Sequence, residues 1–292
     1  MMIHRLKGAL APRPRTVMLA MAAFAALTSA AVARPLEEVR ASNTLKVIAY
    51  EDNKPFSWTN DDGSIAGIDV DLAKAIAAEL GVEPGIELRM QAERADGDIR
   101  VNIIRGTVGG GAPGDILMHV PVDDEFAKKF KEAVLGDPYY QQSVALAIDP
   151  KRIPETANFD VFKTEKIGVK LASVADYFLM GYADGALVNN ISHHTRGPIG
   201  AKEFLTGEVA ALMGVRSEIE GLLHEQGTKA TFIAPPMPDI IRSQWLIGIG
   251  YHDNSRDLGD AVGKAVKKLQ NNGKMQEIFA KYGVTYTAPP GK

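Results

Sequence analysis

The sequence predicts an α/β fold in two parts. Short runs rich in apolar and β-branched residues alternate with segments whose apolar residues recur every three or four positions. These are the patterns of strands and of amphipathic helices, and the alternation occurs twice, before and after residue 143. Alternating strands and helices form mostly parallel sheets with right-handed crossovers, so a ligand is expected beyond the carboxyl ends of the strands.

A leader segment precedes this fold. Four basic residues stand before an apolar run at 17–27, and Ala31 and Ala33 fit the small residues of a cleavage site. Residues 1–33 are therefore predicted to be a secretory signal peptide, cleaved after Ala33, which places the mature protein in the periplasm. The apolar run is too short to span a membrane.

Composition narrows the class of function. The leader carries four Lys and Arg and no acid, so its removal takes the net charge from −3 to −7. An acidic protein is a poor partner for nucleic acid or for an anionic membrane. Cysteine is absent, which excludes thiol catalysis, iron–sulfur clusters and cysteine-ligated zinc, while 46% apolar residues suffice for a packed core.

The first half contains most of one predicted sheet. The run 44–50 is a predicted strand, and turn residues lead to a short return strand at 56–58. Asp69 is expected to cap an amphipathic helix that Gly81 ends. The remaining elements expected here are a strand at 86–90, a short helix at 99–104, a loose glycine-rich stretch at 106–114 and a strand at 115–120.

The second half repeats the pattern and ends in two helices. Apolar stripes predict both terminal helices, with a turn at 271–273 between them and an end at Gly283. The other elements expected are strands at 143–148, 166–171, 208–213, 231–234 and 245–251, and helices at 174–182 and 217–225.

Several segments together resemble the family 3 (type II) periplasmic solute-binding proteins of ABC transporters. The segment GIDVDLAKAIA at 67–77 is similar to a signature of that family, and PFS at 55–57 precedes it as a PPF segment does in the family. The further matches are DPYY at 137–140, KIGV at 166–169 and the NG…KYG ending at 272–283. The resemblance covers nearly the whole mature chain.

The resemblance implies a two-lobed fold with a two-strand hinge and a ligand in the cleft. Lobe one is expected at 36–142 and 248–292 and lobe two at 143–247, with the strands 143–148 and 245–251 as the hinge. The implied function is capture of a small molecule for a membrane permease by a monomer, without catalysis, metal or cofactor.

The sequence departs from the amino-acid-binding members of that family. Their arginine, which grips the ligand α-carboxylate, has no counterpart, since no arginine occurs between Gly106 and Lys151. The family's glycine-threonine pair is replaced by Ala172 and Ser173, and its amine-binding aspartate falls near Gly214. An ordinary α-amino acid is therefore not the expected ligand.

A second interpretation follows from one further motif. The segment DILMHVPV at 115–122 resembles the divergent MxaJ- and XoxJ-like branch, which is associated with quinoprotein (methanol or alcohol) dehydrogenases. That resemblance implies an accessory protein that binds the dehydrogenase or its quinone cofactor, such as PQQ. A third interpretation, a dehydratase or lyase on the same fold, lacks an acid–base set that is visible in the sequence.

Eight side chains are predicted to meet the ligand. Phe56 and Trp58 offer rings for stacking, His119 a donor at a strand end, and Arg216 a cation for an anionic group, although packing and surface roles remain open for each. Ser173 is expected to cap a helix and to offer its backbone N–H to a ligand oxygen. The full set is Glu51, Lys54, Phe56, Trp58, His119, Tyr140, Ser173 and Arg216.

Overall fold

A computed structural model describes residues 33–107, 109–237 and 242–291. The predicted signal peptide lies outside the described residues except for Ala33. Within these ranges, no helix combines the length and apolar character that a membrane crossing requires.

The chain builds lobe one first. It forms α1 (Leu36–Ala41), β1 (Thr44–Tyr50), β2 (Trp58–Thr59), β3 (Ile65–Ala66), α2 (Ile68–Leu80), β4 (Glu83–Arg89), α3 (Ala95–Ile99), a π-helical turn (Arg100–Arg105), β5 (Ile116–Pro121), α4 (Asp124–Ala127) and β6 (Ala133–Ile148). β4, β1 and β5 are parallel neighbours, as the βαβ pattern predicts.

Lobe two follows, and the chain then returns. Its elements are β7 (Ile167–Lys170), α5 (Val174–Gly181), β8 (Ile191–His194), α6 (Gly197–Leu205), β9 (Ala211–Val215), α7 (Arg216–Glu225) and β10 (Thr231–Ile233). The returning elements are β11 (Gln244–His252), α8 (Arg256–Asn271) and α9 (Lys274–Lys281).

The long strand β6 joins the two sheets. Up to Ser143 it pairs with β11, and from Val144 it pairs with β9, so the strand order runs β4-β1-β5-β11-β6-β9-β7-β8 with β10 also on β6. The strand expected at 143–148 is thus only the last part of a longer strand. The lobe boundaries stay predictions. Strand β6 changes its pairing partner next to residue 143, where the boundary between lobe one and lobe two was predicted.

Each sheet is covered on both faces by apolar side chains. In lobe one, α2, α8 and α9 pack on one face, and α3 with the π-helical turn packs on the other. In lobe two, α5 covers one face, whereas α6 and α7 cover the other. This three-layer arrangement in each lobe is the architecture expected from alternating strands and helices.

The start of α2 differs from the prediction. Gly67 rather than Asp69 is the N-cap, and only glycine fits there because a Cβ at position 67 would lie 2.0 Å from the Phe56 carbonyl oxygen. Asp69 is instead fully buried in the first turn, where its backbone N–H donates to the same carbonyl at 2.8 Å. The predicted end is confirmed, since Gly81 adopts the left-handed conformation at φ +73°.

Candidate functional site

The end of β5 carries a buried polar cluster of Asp69, His119 and Tyr139. Asp69 accepts a hydrogen bond of 2.6 Å from the Tyr139 hydroxyl and lies 3.1 Å from Nδ1 of His119. No hydrogen bond engages Nε2 of His119 within the part of the chain that the structure describes. The cluster therefore fixes the imidazole and leaves its second nitrogen for another group.

The backbone at His119 is unusual for a strand. Its φ is +61°, in the left-handed region that favours glycine. A non-glycine residue persists in such a conformation only where its surroundings determine it, and such residues concentrate at binding and catalytic sites.

Helix α7 of lobe two brings one face against lobe one. Gly221 packs on Pro55 so closely that a Cβ at position 221 would lie 2.9 Å from the Pro55 Cβ. One turn further on, Glu225 accepts an ion pair of 2.9 Å from Lys54. Because residues three and seven positions apart share a helix face, Glu218 lies on this face as well, one turn before Gly221.

Glu218 is partly buried, near Lys170 at the end of β7 and His119 in β5. Burial raises the pKa of this carboxyl, and the positive charges of nearby Lys170 and His119 act in the opposite direction. No hydrogen bond or ion pair engages the Glu218 side chain within residues 33–107, 109–237 and 242–291. A charged group of the ligand is a natural partner for such a carboxylate.

The second face of α7 meets the C-terminal segment of lobe one. Glu220 accepts hydrogen bonds from the Thr285 backbone N–H at 2.9 Å and from the Thr285 hydroxyl at 2.8 Å. One turn on, the His224 ring packs against Gly283, where an added Cβ would lie 2.3 Å from the histidine. Helix α7 therefore belongs to lobe two by sequence order, and two of its faces contact lobe one.

Two of the predicted ligand residues belong to the core instead. Phe56 and Tyr140 are 1% exposed, and the Phe56 ring centroid lies 4.3 Å from that of His119 and 5.9 Å from that of Tyr140. Burial raises the pKa of the Tyr140 hydroxyl. The prediction that Phe56 stacks on the ligand does not fit this burial, because the ring packs edge-on against the imidazole and is almost fully enclosed.

Two others have local partners. Trp58 packs edge-on against Tyr282 at 5.6 Å and donates from Nε1 to Asn60 at 2.7 Å. The Ser173 hydroxyl accepts from the Asp176 backbone N–H at 3.1 Å, so its role as the N-cap of α5 is confirmed. Its own backbone N–H donates to the Lys170 carbonyl, which corrects the expectation that this N–H holds a ligand oxygen.

The remaining charged candidates do not converge with His119. Lys54 is engaged by Glu225 and lies 5.1 Å from the Trp58 ring. Glu51 lines a separate cavity of about 320 Å³ in lobe one, beside Arg89. Arg216 lies on the far side of α7 from Glu218, because two residues turn a helix by about 200°. Of the eight, His119 is the one whose charge acts on the Glu218 carboxyl.

The sequence analysis missed Asp69 as a site residue, and it missed Glu218. The sequence predicts Asp69 as a helix cap, whereas the structure places it as the buried partner of His119. The position of Glu218 in the first turn after β9 was the available signal, since strand ends line the clefts of α/β folds. Within the described ranges, no cluster of three histidine or acidic side chains could hold a metal ion.

Comparison with known proteins supports the fold and the resemblance. The sequence profile of the bacterial extracellular solute-binding proteins, family 3, matches residues 45–97. The L-cystine-binding protein TcyJ of Escherichia coli (strain K12) is 21% identical over 247 residues, which are 85% of each chain. The cyclohexadienyl dehydratase of Pseudomonas aeruginosa is 36% identical over 72 residues, 24% of this chain and 27% of the enzyme.

Solved structures show the same architecture. An ancestral cationic amino acid solute-binding protein superposes with a TM-score of 0.65 at 20% identity, covering 85% of this chain and 99% of the other. A polar amino acid ABC uptake transporter substrate-binding protein from Streptococcus thermophilus gives 0.69 at 16% identity, covering 87% and 90%. The chain thus has the two-lobed α/β fold of periplasmic binding proteins.

Proposed function

We propose that this chain is a periplasmic solute-binding protein that captures a small molecule between its two lobes and presents it to an ABC transporter permease. The fold and the family 3 match at 45–97 support this function. The observation that carries it is the apposition of α7 with lobe one, at Pro55 and Gly221 and at Lys54 and Glu225. Together with the contacts of Glu220 and His224 to the segment 283–285, these contacts hold α7 against lobe one, and they are the ones that opening of the cleft would break.

The ligand class follows from the charges at the cleft. Lobe two supplies Glu218, an acid that has no partner among the described residues, and the sequence has no arginine between residues 106 and 151 to bind a carboxylate. The sequence lacks both the arginine and the aspartate that bind an amino acid in the resembled family, whereas the structure has an acid, Glu218, in the first turn of α7. We therefore propose a ligand with an ammonium group, held by Glu218 and oriented by His119, rather than an ordinary α-amino acid.

A ligand screen tests the function and the class together. Purified mature protein is screened by thermal shift against amines, α-amino acids, organic acids and quinones, and every hit is titrated by calorimetry. Amines are expected to stabilise the protein, because only the bound state gives Glu218 a partner. Micromolar binding of a common α-amino acid would contradict the ligand class, and the lack of any small-molecule hit would contradict solute capture.

A pair of variants then locates the binding group. Glu218→Gln should weaken binding of the amine by at least tenfold, since a charge-assisted hydrogen bond is lost. Glu277→Gln, an exposed acid on α9 paired with Lys274, serves as the matched control and should leave affinity unchanged. Equal affinity in both variants would place the amine elsewhere.

The quinoprotein dehydrogenase interpretation is the alternative. The motif that suggests it begins at Asp115, and this residue has a structural role in lobe one. Its carboxylate accepts from Arg34 Nε at 2.8 Å and from the Lys46 backbone N–H at 2.7 Å. Calorimetry with PQQ and pull-down of a quinoprotein dehydrogenase test this alternative. Tight binding of either, without an amine hit, would replace the transporter proposal.

A lyase or dehydratase activity is the second candidate. Asp69 orients His119, and the charge of His119 acts on the Glu218 carboxyl, so these three residues would form the acid–base set of such an enzyme. The local similarity to a cyclohexadienyl dehydratase directs the test to cyclohexadienyl compounds. Turnover that Glu218→Gln abolishes would support catalysis, and unchanged substrate after prolonged incubation would exclude this reaction.

A further inference from the structure

Two adjoining cavities lie on the opposite side of α7 from Glu218. Each has a volume of about 380 Å³, and Arg216 and Phe232 line both. The first lies between α7 and the segment 280–285 of lobe one. The second lies over the residues where the chain crosses between the lobes, including Ser143 and Ser243. Together they form a groove, here called the hinge groove, of a size that accommodates a small molecule.

Arg216 stands at the centre of the hinge groove in a fixed orientation. Its guanidinium lies 5.0 Å from the Phe232 ring centroid, and its Nε donates to Glu220 at 2.9 Å. Both oxygens of Glu220 also accept from Thr285. In the described part of the chain, the two terminal nitrogens of Arg216 donate to no protein acceptor. Those nitrogens present the end of the guanidinium that binds a carboxylate in a bidentate manner.

The lining of the hinge groove selects the charge of an occupant. Lys229 and His224 line the first cavity beside Arg216, and Glu220 is the single acid that lines either cavity among the described residues. Glu220 is satisfied by Arg216 and Thr285, so Arg216 and Lys229 leave an excess of positive charge. Leu223, Val284 and Phe232 supply apolar walls. The matching ligand has one carboxylate and a short apolar chain.

We propose that the hinge groove is a second binding site, separate from the cleft, that takes a small carboxylate with an apolar tail. Arg216 would bind the carboxylate through its terminal nitrogens while Phe232 holds the guanidinium in place. The tail would lie along Leu223 and Val284, so the occupant would contact both lobes. Arg216, expected from sequence to grip an anion in the cleft, would then grip one on the other side of the same helix.

Hexanoate and its neutral isostere hexanamide test this site. Hexanoate should bind saturably by calorimetry, and hexanamide should bind at least tenfold more weakly because it cannot form the charged bidentate pair. In NMR spectra, hexanoate should shift the backbone amides of Gly283 and Thr285 and leave that of His119 unchanged. Equal binding of both probes, or shifts confined to the cleft, would overturn the proposal.

Arginine variants complete the test. Arg216→Gln should weaken hexanoate binding at least tenfold, and Arg216→Lys should weaken it severalfold because lysine keeps the charge but loses the fork. Arg256→Gln removes an exposed arginine that pairs with Asp253 on lobe one, and it should bind as the wild type does. If Arg216→Gln fails to fold, Arg216→Lys decides. Wild-type affinity in a folded Arg216→Lys variant with equal hexanamide binding would refute the carboxylate site.

Discussion

Replacing Gly221 by alanine should hinder closure of the two lobes without destabilising the fold of either lobe. Alanine stabilises a helix interior by about 1 kcal/mol relative to glycine. The new Cβ would lie 2.9 Å from Cβ and 3.1 Å from Cγ of Pro55, inside the carbon–carbon optimum of about 3.5–4.0 Å. Both partners are held by the backbone, and overpacking of this kind costs about 1–3 kcal/mol. That cost applies only while the lobes touch.

The expected consequence is a shift toward separated lobes without loss of stability. A cost of about 1–3 kcal/mol lowers the ratio of touching to separated lobes by about 5- to 150-fold, and it lowers the affinity for a cleft ligand by up to the same factor. Small-angle scattering of the ligand-free variant should show a larger radius of gyration, and its thermal midpoint should not fall.

Gly181 offers a matched control. It ends α5, and a Cβ there would meet no atom within 4 Å, so Gly181→Ala should change neither scattering nor affinity. If Gly221→Ala scatters and binds as the wild type does, the Pro55 contact is no part of closure. If its midpoint falls sharply, the contact belongs to the folded core.

Three further predictions concern burial and charge. Phe56→Ala should cost about 3–5 kcal/mol and lower the thermal midpoint by roughly 6–20 °C, and an intact midpoint would return Phe56 to the ligand site. Glu218→Gln should stabilise the ligand-free protein at pH 8 but not at pH 4. Burial raises the pKa of the Glu218 carboxyl, so wild-type stability falls as the pH rises above the pKa of the unfolded chain, and parallel pH profiles would contradict this. Mass spectrometry of the exported protein should show Arg34 as its first residue, and Arg34→Gln should cost about 1–3 kcal/mol in chemical denaturation because Asp115 would lose its ion-pair partner.

The predicted elements that were right depend on local signals. Apolar periodicity and a terminal glycine predict α2, and the structure ends it at Leu80 before a left-handed Gly81. The sequence could not give the length of β6, because Asp137 and Pro138 break a strand pattern. In the structure, β6 runs through them alongside β11, where the pairing register shifts next to Gly248.

The sequence did not predict strand β8 and helix α6 of lobe two. The structure places His193 and His194 in the edge strand β8. The His193 ring lies 2.9 Å from Asp176, which orients it within lobe two. Helix α6 was not predicted because Gly197 and Pro198 look like breakers, although proline suits the first turn of a helix.

The site was harder to predict than the fold for a geometric reason. Periodicity shows which helix face is apolar, but α7 uses two different polar faces against the same lobe. Arg216 and Glu218 are two residues apart, and the sequence gives no indication of which one faces the cleft. The register of α7 against Pro55 decides this, and that register results from packing between segments more than 160 residues apart.

Glu218 differs from three buried acids, Asp69, Asp115 and Glu220, in having no partner among the described residues. In lobe one, Asp69 is bound by Tyr139 and Asp115 by Arg34, while Glu220 of lobe two is bound by Arg216 and by Thr285 of lobe one. Each of these acids supports the fold, because its charge is compensated where it is buried. Glu218, between the lobes, has no such partner within the described residues, and it lies beside a histidine held at φ +61°. Folding alone favours neither an acid without a partner nor a histidine with a left-handed backbone, whereas binding of a charged ligand would stabilise both. The ligand is therefore expected where these two features occur together.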